Sequence, residues 1–404
     1  MSPQPPTTTF TRAWAEIDLD ALARNISELR ITFGNRSLLL PVKANAYGHG
    51  AVEIARAVAD DDDGAAYLGV VDAGEGIELR EAGIERPVLL MSSLLDEEVE
   101  PALENDLDII VSPFEILESI ITAAACLEKR ARIHLMVDTG LSRYGISPDE
   151  ALEAARRAAS DDKLELVGLA THFVSSESDD ISLAEIQLER FMKVIAAFES
   201  EDLLPPLIHA ANSGAVLGLP DAHFNMVRPG LAVYGAYPAE KFGSEIHLEP
   251  VMSVRAKITQ VREVEPGATA GYGAAWTASQ RTRLALVPVG YADGWPTSLF
   301  GKAEVLIRGK RFQIAGRVAM DCMMVDVGRT AVEPGETVTL LGRDGGSCIH
   351  MEELGQLSGR IPYEVTCGIG QRVHRTYMRP SCTPSANSSS KSAKASSQVS
   401  SLAP

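Results

Sequence analysis

From residue 37 onward the chain alternates short apolar runs with longer stretches in which apolar residues recur at helical spacing. The apolar runs are SLLLPV (37–42), AYLGVV (66–71), RPVLLM (86–91), DIIV (108–111), RIHLMV (132–137), LELVGLA (164–170), PLIHA (206–210) and FNMV (224–227). They are near-continuously apolar rather than alternating, the pattern of parallel strands covered on both faces. The stretches between them include AGEGIELREAG, LDEEVEPALEND, SPFEILESIITAAACLEKR, SPDEALEAARRAAS and SLAEIQLERFMKVIAAFESE. Several open on Ser or Asp with acidic residues behind, as helix N-termini prefer. Eight strand–helix units in roughly 200 residues predict an α/β fold whose N-terminal part is a (β/α)8 TIM-type barrel.

Beyond about residue 240 the texture changes to β-strands broken by glycine turns, as in VMSVRAKITQVREVEPG and ETVTLLGRDGG. The expected organisation is a barrel over residues 12–240, a mainly-β domain over 241–380, and a disordered Ser-rich tail over 381–404. The early TRAWAEIDL reads as a strand that precedes the first barrel unit and is expected to pair with the C-terminal domain.

Composition narrows the function classes. The 404 residues are 45% hydrophobic and 23% charged, an ordinary globular balance. A formal net charge of -18 argues against nucleic-acid binding, because an acidic surface repels phosphate backbones, but leaves a local pocket unconstrained. The five cysteines are an odd number, widely spaced and without a CxxC pair, which predicts no disulfide framework, no metal site and a reducing cytoplasm. No stretch has the apolar length of a secretion signal or a membrane span.

Barrel chemistry gathers where strands end and βα loops begin. Lys43 follows the first strand. A lone lysine there is ordinarily a solvated loop residue. Asn212, Ser213 and Gly214 follow the seventh strand and open a helix, and Arg228, Gly230 and Leu231 follow the eighth. Loops after strands seven and eight commonly hold phosphate, and small residues with free N–H groups suit an anion, although each string read alone is an N-cap or a turn. Arg143 lies past the fifth strand and His172 at the end of the sixth. Two arginines, a lysine and a histidine at strand ends of one barrel are harder to dismiss than any one of them. In the second domain TAGYGAAW, GYADGW, GRVAMD and RIPYEVTC are, as isolated strings, ordinary turns.

Taken in order, VKANAYGHG, VDTGLSRYG, THF, HAANSGA, VRPGLAVYG, GYGAAW, GYADGW, GRVAMD and RIPYEVTC resemble the alanine racemase family over about residues 12–378. The resemblance implies a barrel plus a β domain, pyridoxal 5'-phosphate as cofactor, a head-to-tail homodimer with shared active sites, and interconversion of L- and D-alanine that supplies peptidoglycan. It implies that Lys43 binds the cofactor covalently, the chemistry for which a lysine amine is suited. Tyr47, Ser213 and Tyr363 would contact the phosphate, with Asn212 and the backbone of Gly230 and Leu231. His172 would pack on the pyridine ring and Arg228 face its nitrogen. Arg143 and Met320 would meet the substrate. Lys43 and the partner's Tyr272 would be the two bases, one on each face of Cα. A tyrosine with a pKa near 10 needs help to act as a base, which a Tyr272–His172–Arg228 chain offers.

Four positions depart from the family's commonest pattern. Met136 stands where many members carry a lysine, often carbamylated, that orients the arginine at position 143. Thr297 falls in a segment where an arginine is frequent, Ala319 replaces a frequent cysteine, and Glu177 replaces a frequent aspartate. The substrate range therefore stays open: alanine, or a broader or serine-preferring range. A pyridoxal-phosphate barrel decarboxylase would set a carboxylate against the pyridine nitrogen and need no tyrosine base, so Arg228 and Tyr272 speak against it. A lone-barrel cofactor carrier leaves the β domain without a place.

Overall fold

The structure, a computed structural model, describes residues 11–59 and 64–379. The expected Ser-rich tail lies outside the described residues. Strand β1 (Ala13–Asp18) precedes a closed barrel of β2 (Ser37–Pro41), β3 (Tyr67–Val70), β4 (Val88–Leu90), β5 (Asp108–Val111), β6 (Ala131–Met136), β7 (Leu164–Ala170), β8 (Leu207–His209) and β9 (Met226–Val227). All neighbours are parallel, and the register Ser37↔Met226, Leu38↔Val227 closes the ring. The expected (β/α)8 barrel is therefore present. Each apolar run supplies both faces: Leu38 and Leu40 pack toward the helices, while Leu39, Leu89, Ile110, Met136, Ala170 and Met226 form a separate cluster inside the ring.

The C-terminal part is mainly β. Its strands are β10 (Met252–Lys257), β11 (Gln260–Val264), β12 (Thr269–Ala270), β13 (Trp276–Thr277), β14 (Thr282–Val287), β15 (Glu304–Ile307), β16 (Lys310–Gln313), β17 (Met323–Gly328), β18 (Thr337–Asp344), β19 (Ser347–Ile349) and β20 (His374–Met378). The largest sheet runs β16-β15-β18-β10-β1-β20, with β19 on β18. Here β1 pairs antiparallel with β10 and parallel with β20, so the N-terminal strand does join the C-terminal sheet.

The turn Lys43–Tyr47, directly after β2, is left-handed: Ala44, Asn45, Ala46 and Tyr47 have φ of 51°, 54°, 53° and 53°. Such geometry costs about 1–2 kcal/mol per L-residue, so the surroundings must impose it. Asn45 Oδ1 accepts the Ala51 N–H at 2.8 Å, and the Glu75 carboxylate accepts the N–H groups of Ala44 at 2.7 Å and Val71 at 2.8 Å. His49 Nδ1 lies 2.9 and 3.1 Å from the carbonyls of Ala46 and Tyr47 and must be the protonated nitrogen, because a carbonyl only accepts. Arg375 Nε donates to the Gly48 carbonyl at 3.0 Å. Gly48 itself has φ 86°, and a Cβ there would stand 2.1 Å from the Thr366 carbonyl oxygen.

His49 is fully buried, stacks on Tyr234 with ring centroids 4.5 Å apart, and has no partner for Nε2 among the described residues. Burial outweighs its two carbonyl contacts and lowers its pKa from 6.5 to about 4. Between those values the unfolded chain holds the extra proton, so stability falls as pH drops through that window, by on the order of 3 kcal/mol in full. His49→Phe keeps the stacking and removes the donor. It is expected to lower stability at pH 7.5 by about 1–3 kcal/mol, the cost of stranding buried carbonyls, and to flatten the acid slope between pH 6.5 and 4.5. Urea melts across that pH range check both.

Candidate active site

The C-terminal ends of the barrel strands, with the helix Pro362–Cys367 of the C-terminal part, bring most of the nominated side chains together. Lys43, Tyr47, Arg143, His172, Asn212, Ser213, Arg228, Gly230 and Tyr363 line one cavity of about 440 Å³. Leu231 lines an adjoining cavity of about 340 Å³, which shares Arg143, His172, Asn212, Ser213 and Tyr363 and carries Glu177 on its wall. Tyr272 and Met320 line neither cavity. They are 75% and 52% exposed, on the C-terminal sheets of the same chain.

Arg228, only 3% exposed, sets the electrostatics. Its Nη2 donates to the carbonyls of Thr171 at 2.8 Å and Ala210 at 3.1 Å, and its Nη1 lies 2.7 Å from His209 Nδ1. A guanidinium only donates, so His209 Nδ1 accepts and Nε2 bears the proton. His209 Nε2 is 3.0 Å from His134 Nδ1, which must accept in turn. His134 then carries its proton on Nε2, 3.5 Å from Asp108 Oδ2, a long contact. Arg132 Nε at 2.9 Å and the Tyr67 hydroxyl at 3.1 Å complete the surroundings of Asp108. A polar column thus runs through the barrel with its imidazole hydrogen bonds oriented from the Arg228 end, while the His134 Nε2–H has no hydrogen-bond partner among the described residues and meets Asp108 only through that long contact. Burial alone pushes the Asp108 pKa up, but His134 and Arg132 outweigh it and hold the carboxyl ionised.

Burial, with Arg228, Arg143 and Lys43 nearby, lowers the His172 pKa to about 3, so this ring is neutral at physiological pH. Its Nδ1 lies 3.3 Å from Arg228 Nη2 and accepts, which leaves Nε2–H as a donor. Arg228 keeps its proton at neutral pH, since burial lowers its pKa only to about 10. Its Nε–H is buried and has no partner among the described residues. Burial lowers the Lys43 pKa as well, reinforced by Arg143 and Arg228 and opposed by Glu75.

The opposite end of the cavity suits an anion. A Cβ at Gly230 would come within 2.6 Å of the Tyr47 hydroxyl, so glycine is what permits that approach. Burial raises the pKa of Tyr47 and pushes that of Tyr363 up to about 12, so both phenols remain O–H donors. Ser213 begins the short helix Ser213–Gly218, which Asn212 caps through Oδ1 on the Ala215 N–H at 3.0 Å. Ser213 Oγ accepts the Ala232 N–H at 3.2 Å, which ties the loops after β8 and β9 together.

Several groups in and beneath the cavity escaped the sequence reading: Met91, Tyr144 and Cys367 on its wall, and His134, His209 and Asp108 below it. The strand alternation of RIHLMV and PLIHA could have flagged the two histidines as inward-facing. Nothing in the sequence flagged the others.

A family model described as the alanine racemase N-terminal domain matches residues 17–238, and one described as its C-terminal domain matches residues 251–377. An alanine racemase of Desulforamulus reducens is 39% identical over 369 residues, 90% of this chain and 98% of that protein. One from Methanococcus maripaludis is 38% identical over 371 residues, 90% of this chain and 98% of that protein. The crystal structure of alanine racemase from D-cycloserine-producing Streptomyces lavendulae superposes with a TM-score of 0.87 at 37% identity, covering 92% of this chain and 98% of that one. The Bartonella henselae alanine racemase, solved with covalently bound pyridoxal phosphate, gives 0.81 at 28% identity, covering 91% and 100%. Both parts of the fold are matched in order and the relatives are spanned nearly end to end: the chain belongs to the alanine racemase family.

Proposed function

We propose that this alanine racemase moves the Cα proton between two bases on opposite faces of the substrate, Lys43 of one subunit and Tyr272 of the partner subunit. The observation that carries the reading is the pairing, in one cavity, of a lysine amine whose pKa is lowered with a buried guanidinium whose Nε–H has no partner. Pyridoxal 5'-phosphate is the cofactor, and the residues present fit it: a lysine for the aldehyde, an unpaired donor for the pyridine nitrogen, and a donor-rich, glycine-cleared end for the phosphate. When bound, it supplies the aldehyde that captures the substrate amine and the ring that acidifies Cα.

Tyr47, Tyr363, Ser213 and the backbone of Gly230 and Leu231 would hold the phosphate, with Asn212 fixing the loop that carries Ser213. Arg143 takes the substrate carboxylate, and Met320 of the partner subunit closes the substrate side. Lys43 takes or returns the proton on its own face, since burial and the nearby arginines favour its neutral amine. Across Cα the partner's Tyr272 does the same. The Nε2–H of neutral His172 is the donor that steadies its phenolate. Arg228 would donate to the pyridine nitrogen of the bound cofactor without surrendering its own proton, which would temper the ring's electron withdrawal.

This reading needs a head-to-tail homodimer. The exposure of Tyr272 and Met320 supports it, because neither lines the Lys43 cavity of its own chain. In that assembly a cofactor-binding part over residues 12–240 faces a base-donating part over 241–380. No helix among the described residues is long and apolar enough to cross a membrane. We place the enzyme in the cytoplasm, supplying D-alanine for peptidoglycan.

Lys43→Ala is expected to abolish both turnover and the visible absorbance of covalently held cofactor. A yellow Lys43→Ala protein that still racemises would sink the assignment. Tyr272→Phe should keep the absorbance and lose about 10²–10⁴-fold in turnover, the usual worth of a positioned acid–base group. Arg228→Glu should racemise more slowly and release more pyruvate per turnover, and unchanged partitioning refutes the role given to Arg228. Spectra before and after borohydride, with chiral chromatography of L-alanine, L-serine and L-lysine, provide the readouts and fix the substrate range.

A further inference from the structure

Met136 ends β6 at the floor of the cavity, 2% exposed, in a cluster with Leu39, Met91 and Ile110 against which the Tyr144 ring packs. That floor is apolar, and Arg143 lines the same cavity. The Arg143 guanidinium rests on its neighbour: its carbon lies 4.7 Å from the Tyr144 ring centroid, and Nη2 donates to the Tyr144 hydroxyl oxygen at 3.2 Å. The direction of that bond is fixed, because the Tyr144 O–H is spent on the Met91 carbonyl at 2.7 Å. Its oxygen therefore presents a lone pair to the arginine.

The loop beneath the pair is stiff. Asp138 Oδ1 accepts the N–H groups of Gly140 and Leu141 at 2.9 Å and of Ser142 at 3.2 Å. Gly145 N–H donates to Ser112 Oγ at 2.7 Å, and the Ile146 N–H to the Met136 carbonyl at 2.8 Å. A clamped loop, a packed ring and a committed hydroxyl support the guanidinium in this orientation at the wall of the cavity.

We propose that Tyr144 is the positioning residue that aims Arg143 at the substrate carboxylate, so that carboxylate recognition in this chain needs no bound anion beside the arginine. The inference rests on the reading that Arg143 meets that carboxylate. A neutral partner has a physical advantage: phenol and ring orient the guanidinium without cancelling its charge, so the full attraction remains for the substrate.

The test compares holoenzymes. Tyr144→Phe keeps the ring and removes the acceptor, and it is expected to raise KM for L-alanine about 2–10-fold with kcat within twofold, the worth of one hydrogen bond. Tyr144→Leu removes the ring too and should raise KM by about a further 2–5-fold. Replacing chloride by methanesulfonate at constant ionic strength should leave the wild-type KM unchanged. A wild-type KM that climbs as chloride is withdrawn overturns the proposal, because an anion then holds Arg143. So does a fall in kcat at constant KM in both variants, the mark of a merely structural role. Arg143→Ala separates the two claims. If it raises KM and the Tyr144 variants do not, the positioning role alone falls; if it leaves KM unchanged, the carboxylate reading falls with it. Should Tyr144→Leu fail to fold, Tyr144→Phe and the chloride series still decide.

Discussion

A guanidinium buried in the mouth of a barrel is the charge around which the site is arranged. Taking a charge out of water costs several kcal/mol, and the usual compensation is a carboxylate beside it. Here the nearest partners of Arg228 are carbonyls and neutral imidazoles, and the carboxylate of Asp108 stands two histidines away. The charge is therefore hydrogen-bonded but not cancelled. It orients His209 and His134, helps keep His172 neutral, and adds to the positive potential that lowers the Lys43 pKa. In a chain of net charge -18 the cavity is a local positive island, suited to a phosphate at one end and a carboxylate at the other.

A second constraint acts on position rather than charge. Four successive L-residues in left-handed geometry do not hold themselves there. Asn45 and Glu75 brace the turn from the barrel, and Arg375 and the close approach of Thr366 brace it from the C-terminal part. The lysine that reaches into the cavity thus depends on β20 and on the helix Pro362–Cys367, far along the sequence from residue 43. The C-terminal part that carries Tyr272 is also a structural support for Lys43.

Most of the architecture was legible because its signal is local. Parallel strands covered on both faces must be apolar at both, so eight runs stood out, even the three-residue β8 and the two-residue β9. The place of Lys43 was legible for the same reason. The hand of its turn was not: Ala-Asn-Ala-Tyr contains no glycine before Gly48, and the forces that impose the left-handed conformation come from residues distant in sequence. The polar column was hidden in the same way. His134 and His209 read as single polar residues in apolar strands until the barrel closed and set them 3.0 Å apart. For Tyr144 the decisive fact is a contact with the Met91 carbonyl, which no spacing encodes.

Tyr272 shows how the proposed division of labour follows from these constraints. Its turn sits on the β12–β13 hairpin between Gly271 at φ 74° and Gly273 at φ 71°, braced against Gly316 and Arg317, with the phenol held out toward solvent. Inside the cavity the basic side chains other than Lys43 are already committed: Arg143 to Tyr144, Arg228 to the column, and His172 to Arg228 through its one acceptor nitrogen. The proposed second base therefore comes from outside that set, as an exposed phenol on a braced hairpin of the partner subunit.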